Sequence, residues 1–336
     1  MLKKKLIASI ILISLCCLLF AETNVAFEIR PTVSLYFGQQ GEYVYQDYFE
    51  NNKSKSAKLS ELDWKTNALC KLGIDFCGLV NEKFGWSLGA SGALASNNGS
   101  MIDSDWKNVY KLPEFDSERT YLLTNYTTSL ESTDCFLKIH SKFFYNFYPA
   151  PKVILSPFVE LDYRYILMNA WGLNGSYCIT SVDSDGYYYG YNSPNSYSVY
   201  YPNDVNVIKL EQHWGLLWTG LDVTFLSNNI FYCGLALGIM PFAYCDSRDT
   251  HILKHKIFRD IDFGFCFGGR AGIFVGWNVS KKDAIHIDLD FQGMLQLRGE
   301  TFTSSSKNIN FIKAVSSSCG EDFNSVEIKI SYVRKI

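Results

Sequence analysis

The chain predicts an all-β fold, a ten-stranded antiparallel transmembrane β-barrel with long extracellular loops, on three observations. Apolar residues recur with period 2 rather than 3.6. Ile285, Ile287, Leu289 and Phe291 alternate with His286, Asp288, Asp290 and Gln292, and Val326, Ile328, Ile330 and Tyr332 alternate with Glu327, Lys329 and Ser331. Successive side chains of a strand point to opposite faces, so this pattern gives one apolar and one polar face. Aromatic residues make up 16% of the chain, with 22 Tyr and 24 Phe, which suits a lipid-facing wall. Finally, short turns alternate with longer polar stretches.

Taken in order, the chain opens with Lys3, Lys4 and Lys5, an apolar run from Leu6 to Phe20, and then Ala21. A positive start, a short apolar run and a small residue make a secretory signal over 1–21, with cleavage after Ala21. Cys16 and Cys17 offer a lipoprotein reading in second place, since no small residue directly precedes Cys16. Losing the three lysines moves the formal net charge from −3 to −6, which argues against a nucleic-acid partner. No later segment is a continuous apolar 20-mer. Export without a second spanning helix leaves a soluble secreted protein or an outer-membrane barrel, and aromatic-rich alternation favours the barrel.

Short turns fall near Asn81-Glu82-Lys83, Pro149-Ala150-Pro151, Ser227-Asn228-Asn229 and Ser280-Lys281-Lys282-Asp283. The longer polar stretches lie around 45–60, 98–120, 178–206, 246–256 and 303–321. Four short and five long connections join ten strands of one domain, 22–336, with both termini on the short-turn side. A tilted strand needs only about 9–11 residues to cross a bilayer. These strands are therefore expected to project beyond the apolar band. The third long stretch contains Asp185-Gly186-Tyr187-Tyr188-Tyr189-Gly190-Tyr191-Asn192, a surface loop or a contact surface rich in Tyr. Trp64, Trp86, Trp171, Trp214, Trp218 and Trp277 read as interfacial girdle residues. His140, His213, His255 and His286 show no partner pattern. The eight cysteines after the leader are scattered without CxxC spacing, so few bridges and no metal site are expected.

Two polar stretches carry the chemistry. Asp103 and Asp105, and Asp249 and His251, stand at i and i+2, the spacing that puts two side chains on one face of a strand. Either pair alone also reads as turn chemistry or a solvated rim pair. In the ten-strand scheme both lie at the outer rim, and four strands apart they face each other across the mouth. Two close carboxylates raise the pKa of one of them. An Asp beside a His fixes the imidazole tautomer and raises its basicity. A water between the two pairs would be a nucleophile for a peptide carbonyl.

Gly99-Ser100-Met101-Ile102-Asp103-Ser104-Asp105-Trp106 resembles the Gly-x-Met-x-Asp-x-Asp-Trp signature of the omptins, outer-membrane proteases of ten-stranded barrel fold. Leu59-Ser60-Glu61-Leu62-Asp63-Trp64-Lys65 is similar to the family's Leu-Asp-Trp-Lys segment, and Asp249-Thr250-His251 to its Asp-x-His. The resemblance implies an endopeptidase that needs no cofactor, in which His251 is the base, Asp249 orients it, Asp103 shares the water and Asp105 supports Asp103. It implies polypeptide substrates cut near basic residues, with Glu42 as one acid of the pocket. The second acid would lie two residues before Asp249, where this chain has Ser247, so a weaker basic preference is expected. Asp246, next door, would face the other way. The family also binds lipopolysaccharide, a possible activator, and Asp162 and Arg164 resemble part of that outer-wall site. A monomer is expected, in the outer membrane, with its site facing outward. Val333-Arg334-Lys335-Ile336 departs from the terminal aromatic common in such barrels, although Tyr332 is close. The rival readings are a non-enzymatic barrel acting as an adhesin, and, last, a channel.

Overall fold

The computed structural model describes residues 25–50, 53–108, 121–178, 189–227, 230–305 and 308–336. The expected leader and Asp185–Tyr188 lie outside these residues. Eleven strands follow one another: β1 Val25–Glu50, β2 Lys53–Val80, β3 Phe84–Asn108, β4 Tyr121–Tyr145, β5 Phe147–Ala150, β6 Val153–Cys178, β7 Ser196–Leu226, β8 Phe231–His251, β9 Lys256–Asn278, β10 Asp283–Ser305 and β11 Asn308–Lys335. Ten of them are long. β5 has four residues and only prolongs β4 into the turn, pairing with β6 through Phe147 and Ala150. Each long strand pairs antiparallel with its neighbours, β1 pairs with β11, and β4 pairs with β6, so the ten close into a ring. Closure removes every edge, as strands that cross lipid must do.

The long strands have 21 to 31 residues, about two to three times what crossing requires. Several of the stretches expected as long outer loops are in fact strand. Lys53 follows Glu50 almost at once, and β8 runs through His251 before the turn at 252–255. At the other end the short turns stand where expected, at 81–83 and 279–282. The last residue is tied there by Ile336 N–H donating to the Phe27 carbonyl at 2.9 Å.

The outer wall is apolar over the lower half only. Val33, Leu35 and Phe37 on β1, Leu235, Leu237 and Ile239 on β8, and Ile285 and Ile287 on β10 are exposed. Above Phe37 the outer face turns polar, with Gln39 bonded to Asp63 and Tyr43 to Asp322. Above Phe263 on β9 it carries the Arg259–Asp246 pair. The membrane band ends there.

The lower lumen is filled by ion pairs: Lys71–Glu327 at 2.9 Å, Arg270–Glu160 at 2.8 Å, and Arg164–Asp162 at 2.7 Å. Large buried side chains, among them Trp64, Met101, Met168, Leu210, Trp214 and Trp218, occupy the interior as well. Three girdle assignments are thereby corrected. Trp64, Trp214 and Trp218 point inward as packing, while Trp277 is exposed as a girdle residue would be. The histidines read as unpartnered include three with acidic neighbours: His140 with Asp75, His213 with Glu211 and His286 with Asp288. All eight described cysteines are unbridged.

Candidate active site

On the outer half of β3 the inward positions are Met101, Asp103 and Asp105. Met101 and Asp103 are buried, and Asp105 is half-buried. Asn125 of β4 donates Nδ2–H to Asp105 Oδ2 at 2.9 Å, which fixes one carboxylate of the pair. Burial raises the pKa of Asp103 to about 7, with the charge of Asp105 adding to the rise and the His251 ring opposing it.

On β8 the inward series is Cys245, Ser247 and Asp249, with His251 after them at the rim. Asp249 Oδ2 meets His251 Nε2 at 2.6 Å. The ring stands edge-on to Phe258 of β9, with centroids 5.4 Å apart. With Nε2–H given to the carboxylate, Nδ1 carries the lone pair and is the basic nitrogen. Burial works to lower the His251 pKa, but the charge and hydrogen bond of Asp249 outweigh it and leave it raised. Asp246 faces outward as expected, clamped by two Arg259 hydrogen bonds of 2.8 Å.

The ring thus brings the two expected pairs to one mouth. Among the described residues no hydrogen bond joins them, but Asp103 and His251 act on each other through space, and Lys254 of the 252–255 turn acts on both. Tyr177, at the outer end of β6, feels Asp103 and Asp105 more than any other charges.

Toward the membrane from the pairs lies an acidic cluster that reaches across four strands. Ser247 stands where the substrate pocket was expected, fully buried, and Gln212 Nε2 donates to its Oγ at 3.5 Å and to Glu321 Oε2 at 2.8 Å. Glu42 of β1 sits opposite Glu321 of β11, and Asp260 of β9 opposite Ser247. Burial raises the pKa of Glu42, Asp260 and Glu321 well above the usual carboxylate range, and the charges of neighbouring acids raise it further. Asp260, Asp262 and Glu321 escaped the sequence reading. Asp260-Ile261-Asp262 has the same i, i+2 spacing as the other pairs, so a signal was present. Glu321 showed none, because only the β1–β11 register sets it beside Glu42.

Asp162 and Arg164 are not on the outer wall, and that assignment is corrected. Alternation along β6 turns Leu161 and Tyr163 out and Asp162 and Arg164 in, 2% and 4% exposed. There Arg164 holds Asp162 and Gln292 and covers the Phe323 ring, so neither residue can reach a lipid headgroup.

An antiparallel ten-strand ring with a half-height apolar band and a polar, acid-lined mouth defines an outer-membrane barrel. Residues 23–143 match the model of the omptin family. The fold is that of the outer-membrane protease OmpT from Escherichia coli, with a TM-score of 0.75 and 14% identity over 93% of this chain and 97% of that one. The translocator domain of the autotransporter NalP from Neisseria meningitidis also matches, at a TM-score of 0.35 and 6% identity over 91% of this chain and 88% of that one. No curated protein matches in sequence. The family match covers residues 23–143, and the likeness to the solved structure is one of fold.

Proposed function

We propose that the protein is an endopeptidase in which Asp249-oriented His251 activates a water held with Asp103, while Asp105 supports Asp103. The observation that carries this reading is the 2.6 Å His251–Asp249 pair standing at the same mouth as buried Asp103. His251 Nδ1 takes a proton from the water as its oxygen attacks the peptide carbonyl carbon. The proton then passes to the leaving nitrogen as the C–N bond breaks. The charge on Asp249 stabilises the imidazolium between the two steps, and no covalent enzyme intermediate and no cofactor is needed.

Glu42 and Ser247 lie below this site and face the position of a substrate side chain. A basic side chain is favoured there, but weakly. Ser247 carries no charge, and buried Glu42 holds its proton well above the ordinary carboxylate range, so the Coulomb attraction for Arg or Lys is reduced. A fluorogenic peptide library cleaved by protein refolded in detergent, with and without lipopolysaccharide, tests both statements. His251→Ala is expected to lower cleavage roughly 10²–10⁴-fold while leaving the barrel folded. Unchanged cleavage in His251→Ala would remove the assignment, and a strong arginine preference would remove the weakened pocket.

A further inference from the structure

Lower in the lumen Glu160 has Arg270, Asp162 has Arg164, and Glu327 has Lys71 as a basic partner. The cluster formed by Glu42, Asp260, Asp262 and Glu321 differs. Among the described residues none of these four forms an ion pair with a lysine, arginine or histidine, although each is 4% exposed or less. Glu42 Oε2, both oxygens of Asp260 and Glu321 Oε1 have no hydrogen-bond partner either. Buried polar groups without a partner are unfavourable in the folded state, so the cluster is incomplete as it stands.

Its geometry says what would complete it. One carboxylate oxygen from each of Glu42, Asp260 and Glu321 lies within 4.8 Å of the others. Oxygens around a calcium ion at about 2.3–2.6 Å stand no more than about 5 Å apart. Gln212 holds Glu321 by Oε2 and leaves Oε1 as the oxygen for a ligand. We propose that a hard divalent cation of the Ca²⁺ or Mg²⁺ class binds between Glu42, Asp260 and Glu321. The donors are all oxygens, which selects hard cations over thiophilic ones.

A second group, Cys245, Asp262 and Glu321, is equally close-set and would suit a thiophilic metal. It has fewer uncommitted atoms, since Asp262 Oδ1 accepts the Cys319 thiol at 3.4 Å. A basic substrate side chain at Glu42 would fit the charge, but Asp260 and Glu321 are 1% exposed or less, where a small ion reaches more readily than a guanidinium. The cation would also act on the site above. Asp249 is among the charges that both Glu42 and Asp260 feel, so a bound ion would offset the negative field around the His251–Asp249 pair. The inference does not rest on the protease reading, because binding is measured without cleavage.

The test uses the full-length barrel refolded in detergent without lipopolysaccharide, stripped with EDTA and titrated with ⁴⁵Ca²⁺, with Mg²⁺ as competitor. One saturable ion per chain and a rise in the thermal unfolding midpoint are expected. Asp260→Asn and Glu321→Gln each replace a carboxyl by an amide of the same shape and so should fold, which heat-modifiability on a gel verifies. Each should weaken uptake at least tenfold. Asp246→Asn, which changes an outward acid held by Arg259, should leave uptake intact. The proposal is overturned if folded wild-type protein takes up neither ion saturably, or if both amide variants bind as well as wild type. It is also overturned if Zn²⁺ alone binds and Cys245→Ala abolishes that binding, since the site would then be the sulfur-containing one.

Discussion

Two residues decide how the site responds to pH. The carboxylate of Asp249 holds the His251 pKa above its ordinary value, and a base must be neutral to take a proton. The rate is therefore expected to rise with pH through that raised pKa. In Asp249→Asn the charge is gone, so the acid limb of the pH–rate profile should move to lower pH while the maximal rate falls. An unmoved limb would mean that another group controls it. Asp103 works through stability. Its pKa is about 7 in the fold and roughly 3.9 in an unfolded chain. Between those values the folded protein binds a proton that the unfolded chain lacks. The contribution of Asp103 is then fully present below about pH 4 and is lost as pH rises through about 7. Asp103→Asn should have a flatter dependence of its urea unfolding midpoint on pH across that window, and a slope equal to that of wild type would refute the burial argument.

At the scale of the strand, alternation separates wall from lumen and phase decides which side chain goes where. Ile287 of β10 pairs with Val275 of β9 and Ile330 of β11, and all three are exposed on the outer wall. Ile287→Lys puts an ammonium into lipid and should cost about 2–4 kcal/mol near the bilayer midplane. Gln39→Lys, above the band, should cost little. Urea unfolding of the two variants in liposomes separates them. The same alternation explains what could be read from the sequence. The period-2 runs of β10 and β11 are visible in the sequence itself, and so are the i, i+2 pairs Asp103/Asp105 and Asp249/His251, because strand geometry alone puts each pair on one face. Phase is not visible in this way. A slip of one residue exchanges wall for lumen, which is how Asp162, Arg164, Trp64, Trp214 and Trp218 were placed outside when they are inside. Register across the closing seam is less visible still. Glu42 and Glu321 lie near opposite ends of the chain, and only the β1–β11 pairing makes them neighbours.

In the whole molecule these faces combine into a barrel that is closed by charge within the membrane and open to chemistry above it. The lower lumen is bridged by pairs from strands far apart in sequence. Arg270 of β9 bonds Glu160 of β6 at 2.8 Å and Asp290 of β10 at 2.9 Å, and Lys71 of β2 bonds Glu327 of β11. Ten strands enclose an interior that side chains can fill, and here salt bridges and large side chains fill it, which argues against a channel. Wild-type protein in a planar bilayer is accordingly expected to show no steady ionic conductance. Arg270→Met keeps the length of the side chain but leaves Glu160, 3% exposed, without its cation. Breaking a buried pair from one side costs about 3–5 kcal/mol, which urea unfolding would read as a lowered midpoint. Adding Glu160→Gln should recover part of that loss, since the stranded charge goes with its partner. If the single variant unfolds like wild type, or if wild type conducts, the lumen is hydrated and the ion pairs do not seal it.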